Sequence, residues 1–115
     1  MIKQEVKVVA LAGNAKYLRL LAGLPETSGM KSGQVILQPG EAVGSHSTGD
    51  KEEAIIILEG TLQVCLDGKP SLAAGRDHLV YIPPHTDHDM KNTGMVAARY
   101  IYVVSPVQPD PGRPV

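Results

Sequence analysis

Short aliphatic and β-branched runs, closed by glycine or proline about every 8–12 residues, constrain this chain more than any other feature. The runs are "EVKVVALA" (residues 5–12), "AKYLRLLAG" (15–23), "GQVILQPG" (33–40), "EEAIIILEG" (52–60), "TLQVCLDGK" (61–69), "HLVYIPP" (78–84), "HDMKN" (88–92) and "MVAARYIYVV" (95–104). Each is too short for a stable helix, and the second alone has a periodicity that also fits a short one. Asp67-Gly68 predicts a hairpin turn, and "PSLAAGRD" carries a further turn. Twelve glycines and nine prolines in 115 residues favour many turns over long helices. An all-β sandwich or barrel follows, and the length allows one domain. The last residues, "SPVQPDPGRPV" (105–115), hold four prolines without a core pattern and read as a surface tail beyond a barrel domain at 1–104.

Charge and composition narrow the function classes. Formal net charge is −1 with scattered lysines and arginines, which argues against nucleic acid, since phosphate binding needs a basic patch. Phe and Trp are absent, so a pocket here is lined mainly by aliphatic groups and does not suit a large aromatic substrate. The longest apolar run, "AIIIL" (54–58), suits a buried strand and is far too short for a membrane span. Without a secretory apolar segment near Met1, the expected compartment is the cytoplasm, and the lone Cys65 agrees with a reducing one. Cys65 itself reads as a barrel-lining or core thiol.

Chemistry concentrates in two stretches. "GEAVGSHSTGDKEE" (40–53) carries His46, Thr48 and the carboxylates Glu52 and Glu53, and "IPPHTDHDMKN" (82–92) carries His85 and His88. In a strand His46 and Thr48 share a face, and a hairpin after Thr48 returns a glutamate beside His46. Two imidazoles and a carboxylate form the ligand set of catalytic zinc and of non-haem iron oxygenases. Glu53 is favoured over Glu52 by its six-residue step to Gly60, and Glu52 serves if the hairpin is one residue tighter. His78, Asp87 and Asp89 read as solvent-facing, with one aspartate a candidate for orienting a ligand histidine. Asn92 closes a turn before Thr93-Gly94; Met30, Met90, Tyr100 and Tyr102 are candidates to line a pocket, and Arg99 is a carboxylate anchor if it faces inward.

The order Gly40, His46, Thr48, Glu53, Gly60, followed by Gly75, Pro83, His88, Asn92, resembles the two motifs of the cupin superfamily, in its small single-domain form. The first motif has His-x-His where this chain has His46-x-Thr48; His85 stands where the family often has glycine, and the step from Gly75 to Pro83 is two residues longer than the commonest form. The resemblance covers about residues 33–104. It implies a double-stranded β-helix, a jelly-roll barrel of antiparallel strands, often a homodimer, with a divalent metal (Fe, Mn, Ni, Cu or Zn) near one mouth. Carried over by position, the ligands are His46, Glu53 and His88. Three arrangements are open: a three-residue site, a site in which His85 replaces the missing histidine, or a pocket that holds a small molecule without metal. Two function classes follow: a metal-dependent enzyme on a small polar molecule, such as a dioxygenase or isomerase, and a non-catalytic ligand-binding or sensing module. A partner of a larger enzyme is a third.

Overall fold

The computed structural model describes residues 4–107, and every regular element among them is a strand. None of the described residues forms a helix long and apolar enough to cross a membrane. Alternation decides what faces inward. In β4 (Lys51–Glu59), Glu53, Ile55 and Ile57 are buried, while Ile56 between them is exposed, so the "AIIIL" run is buried on one face only. β2 (Lys31–Leu37) likewise turns Val35 and Leu37 inward. Each such side chain contributes roughly 1.5–3 kcal/mol by leaving water.

The strands form two antiparallel sheets. One has the order β1 (Tyr17–Ala22), β2, β9 (Ala98–Pro106), β4, β7 (Leu79–Ile82); the other has β3 (His46–Ser47), β8 (Asp87–Lys91), β5 (Thr61–Leu66), β6 (Lys69–Gly75). Their inner faces share one core, in which Leu37, Ile55, Ile57 and Tyr100 from the first sheet meet Leu62, Val64 and Met90 from the second. Turn spacing pointed to an all-β sandwich or barrel, and the jelly-roll arrangement is the one the cupin resemblance implied.

Gly60, between β4 and β5, takes a positive φ of 78°, and a Cβ there would lie 2.7 Å from the Ala97 carbonyl and 2.8 Å from Ala98 Cα. Only glycine satisfies both the backbone angle and the close passage of β9. Asn92 is equally fixed: 1% exposed, it accepts from the Gly94 amide at 2.9 Å and donates to the carbonyls of Leu37 at 2.9 Å and Val96 at 2.8 Å. It closes the expected turn and also ties that turn to the end of β2.

Several local expectations change. Residues 5–12 form no regular strand and are exposed, because no neighbouring strand pairs with them. The run 15–23 supplies the strand expected there, β1, rather than the short helix its periodicity also fits, and pairing with β2 holds it. "PSLAAG" belongs to β6, and the turn falls at Arg76 and Asp77. Cys65 lies on the face of β5 opposite the buried Leu62 and Val64 and is half-buried, so it does not line the barrel. β9 continues through Ser105 and Pro106, which pair with Glu52 and Lys51; residues 108–115 of the proline-rich tail lie outside the described residues.

Candidate metal centre

Both sheets supply the site. β3 is only two residues long, yet its antiparallel register sets His46 directly opposite His88 of β8. Directly opposed residues project to the same side, and the two imidazole rings stand 4.4 Å apart, tilted by 56°. Glu53 reaches them from β4 in the other sheet, with its Oε1 at 2.9 Å from His88 Nε2. His46, Glu53 and His88 each offer a donor atom, and all three donors lie within 4.8 Å of one another.

Backbone carbonyls orient both rings. His46 Nδ1 donates to the Gly44 carbonyl at 2.8 Å, and His88 Nδ1 donates to the Thr86 carbonyl at 3.0 Å. A proton held on Nδ1 leaves each Nε2 as the donor aimed at the shared point. Asp89, expected at the surface, is 8% exposed and accepts the Gly44 amide at 2.9 Å. It therefore anchors Gly44, the residue whose carbonyl aims His46, which is the orienting role left open for one of the two aspartates. Asp87 and His78 are exposed, as expected.

The donor set fits a divalent ion. Neighbouring ligands at about 2.1 Å around an octahedral centre are roughly 3 Å apart, and the Glu53–His88 separation of 2.9 Å already has that value. In the metal-free protein a proton occupies this contact. The hydrogen bond to Glu53 raises the His88 pKa above its ordinary range; burial opposes that shift, while the Thr86 carbonyl and the charges of Glu53 and Asp89 reinforce it.

The remaining candidates lie elsewhere. Glu52 points to the opposite face of β4 and accepts the Tyr81 hydroxyl at 2.8 Å, so strand parity removes it from the site. His85 is exposed at a positive φ of 56°. That left-handed geometry explains why glycine suits this place in the resembling motif, and it leaves His85 outside the three-residue group. Its amide donates to the Gly49 carbonyl at 2.8 Å, fastening the turn ahead of β8. Thr48 lines the cavity, but its hydroxyl donates to the Pro83 carbonyl at 2.7 Å and accepts the Thr86 amide at 3.1 Å. Both hydrogen-bonding directions are engaged by backbone.

A cavity of about 410 Å³ opens over the three residues. Met90, Tyr100 and Tyr102 line it, whereas Met30 lies beside a separate surface groove. Burial, reinforced by nearby Glu53, Tyr17, Tyr102 and Asp89, pushes the Tyr100 phenol far above its ordinary pKa, so it stays protonated. Gly33 makes space for Tyr102: a Cβ there would come within 2.6 Å of the phenol oxygen. Arg99 faces away from the cavity. It donates to Glu59 from Nε at 3.1 Å and Nη2 at 2.8 Å, and to Gln34 at 3.1 Å. The cations that do line the cavity are Arg19, Lys31 and Lys51. Period-two alternation from Gly33 and Glu53 was the signal for the two lysines.

Residues 33–104 match the family model for the cupin domain. The chain belongs to the cupin family. Among relatives, this cupin is 34% identical over 99 residues to "Polyketide synthase CurC" of Streptomyces cyaneus, an alignment covering 86% of this chain and 63% of that protein. It is 29% identical over 99 residues to "Tetracenomycin polyketide synthase protein TcmJ" of Streptomyces glaucescens, covering 86% and 65%. The cupin thus spans just under two thirds of the length of these relatives. Its fold matches an RmlC-like cupin with a double-stranded β-helix from Methanocaldococcus jannaschii, at a TM-score of 0.71 and 21% identity, covering 92% of this chain and 93% of the other.

Proposed function

We propose that this cupin holds a divalent metal through His46, Glu53 and His88 and acts on a β-dicarbonyl segment of a polyketide, in the service of a polyketide synthase. The observation that carries the metal reading is the convergence of two carbonyl-oriented imidazoles and one buried carboxylate from opposite sheets. His46, Glu53 and His88 would hold the ion, which would supply Lewis acidity toward substrate oxygens and so favour enolisation. The protein contributes the rest. The exposed His46 side leaves room for substrate, while the buried His88 and Glu53 close the opposite side to water. Tyr100, held protonated, can donate to a carbonyl oxygen but not accept its charge. The polyketide class is supported by the names of the two relatives and by the donor set, since three protein ligands would leave room at a bound ion for substrate oxygens.

A second reading is a metal-free ligand-binding module. It is favoured by the Glu53–His88 contact, which satisfies both side chains with a shared proton. Metal content separates the two. Elemental analysis of the purified protein, before and after exposure to Fe, Mn, Ni, Cu and Zn, is expected to find one ion per chain. His88→Ala is expected to weaken binding by more than the roughly 10–100-fold typical of losing an outer partner. Failure to take up any of these ions at stoichiometric level would leave the metal-free module as the function.

A further inference from the structure

The cavity has a second chemical character besides its donor triad. Among the described residues that line it, Glu53 is the one carboxylate, against the three cations Arg19, Lys31 and Lys51. Glu53 is already engaged by His88. Among the described residues, Arg19 and Lys31 have no carboxylate within ion-pair distance, and Lys51 reaches only the neighbouring Asp50, at 3.5 Å. A rim that holds unpaired cations around a concave site raises the local concentration of anions.

Register places these cations. Lys31 pairs with Val104, and Val104 pairs with Glu53, so Lys31 lies in the same cross-strand row two strands away, about 10 Å from Glu53. Lys51 precedes Glu53 by two residues on the same face of β4, about 7 Å along the strand. Arg19 pairs with Gly33 in the adjacent row, beside Tyr102. Glycines shape the space around them. A Cβ on the buried Gly23 would lie 3.0 Å from Lys31 Cε, so its absence seats the lysine stem, and Gly33 seats Tyr102 in the same way.

From this arrangement we infer that the substrate carries an anionic group, carboxylate or phosphate, beyond the oxygens that face the triad and toward the strand positions of Lys51 and Lys31, about 7–10 Å from Glu53 along and across the strands, and that these lysines, assisted by Arg19, bind it. The inference rests on the proposed function for the head of the substrate and adds its tail. With a polyketide, two sources supply such an anion: the free carboxylate of a released chain, or the phosphate of a phosphopantetheine arm on a carrier.

Calorimetric titrations test it in two arms. In the first, zinc-loaded protein meets a β-diketone with a terminal carboxylate on a flexible alkyl tether, and separately its methyl ester. In the second, metal-free protein meets phosphopantetheine and, separately, pantetheine. The anion is expected to bind about fivefold to tenfold more tightly than its neutral twin in one arm, and that arm identifies the source. In the Lys31→Gln, Lys51→Gln double variant the ratio should fall to about one, and Lys31→Arg with Lys51→Arg should restore it. Thermal melts establish that the variants are folded. If neither anion outperforms its twin, or the advantage survives in the double glutamine variant, the inference is wrong. A protein that binds neither diketone yet prefers phosphopantetheine would overturn the metal reading while upholding the anion site.

Discussion

Replacing Thr48 by valine separates a ligand from a fastening. Valine preserves the branched shape and replaces the hydroxyl by a methyl that cannot hydrogen-bond. That hydroxyl donates to the Pro83 carbonyl at 2.7 Å and accepts the Thr86 amide at 3.1 Å. Both bonds join the β3–β4 connection to the turn that delivers His88, and the backbone bond from Thr48 N to the Thr86 carbonyl at 3.2 Å survives the change. Each bond of this kind contributes about 0.5–1.5 kcal/mol net, so the pair is worth about 1–3 kcal/mol. For a domain of this size that is a fall of roughly 4–15 °C in Tm. The three triad side chains are untouched, so metal stoichiometry should persist with affinity weakened by less than about tenfold. Differential scanning calorimetry and metal titration on the same preparation read both quantities. An unchanged Tm would refute the fastening role, and loss of the metal without loss of stability would make the hydroxyl a ligand. The same geometry predicts that Thr48→His loses stability rather than simply gaining a fourth ligand.

Two further substitutions test the cavity. Gly33→Ala places a Cβ within 2.6 Å of the Tyr102 ring and hydroxyl, an overpacking expected to cost about 1–3 kcal/mol. Truncating Tyr102 to alanine in that background should recover part of the loss, and strictly additive effects in a double-mutant cycle would disprove the contact. Tyr100 sets an alkaline limit. Its folded pKa is raised above the unfolded value of about 10, so its contribution is complete below that pH and is lost as pH rises toward the folded value. Urea unfolding at about pH 9 and about pH 11 should show the decline. Tyr100→Phe should flatten it, and an equal decline in that variant would assign the effect elsewhere.

How much of this was legible depends on how local the cause is. Most strand positions were, because alternation and turn residues act over a few positions: Asp67-Gly68 ends β5 and Gly60 ends β4. The spacing of His46, Glu53 and His88 was also readable, as a pattern that resembles a family. Asp89 was misplaced because one residue of alternation cannot show that the Gly44 loop folds over it. Residues 5–12 carry strand-forming valines without a partner strand, and propensity alone does not make a ladder.

The sequence by itself therefore determined an all-β sandwich or barrel and the order of its chemical groups, since period-two patterning and glycine conformational freedom are properties of short segments. Only the tertiary structure decided which groups meet. Strand parity turned Glu53 inward and Glu52 out, and the left-handed turn at His85 carried that ring into solvent. The Pro83–Thr86 backbone engaged the Thr48 hydroxyl, and cross-strand register brought Lys31 into the row of Glu53. These are contacts between segments distant in the chain. They depend on register and on the closing of two sheets, which no local pattern specifies.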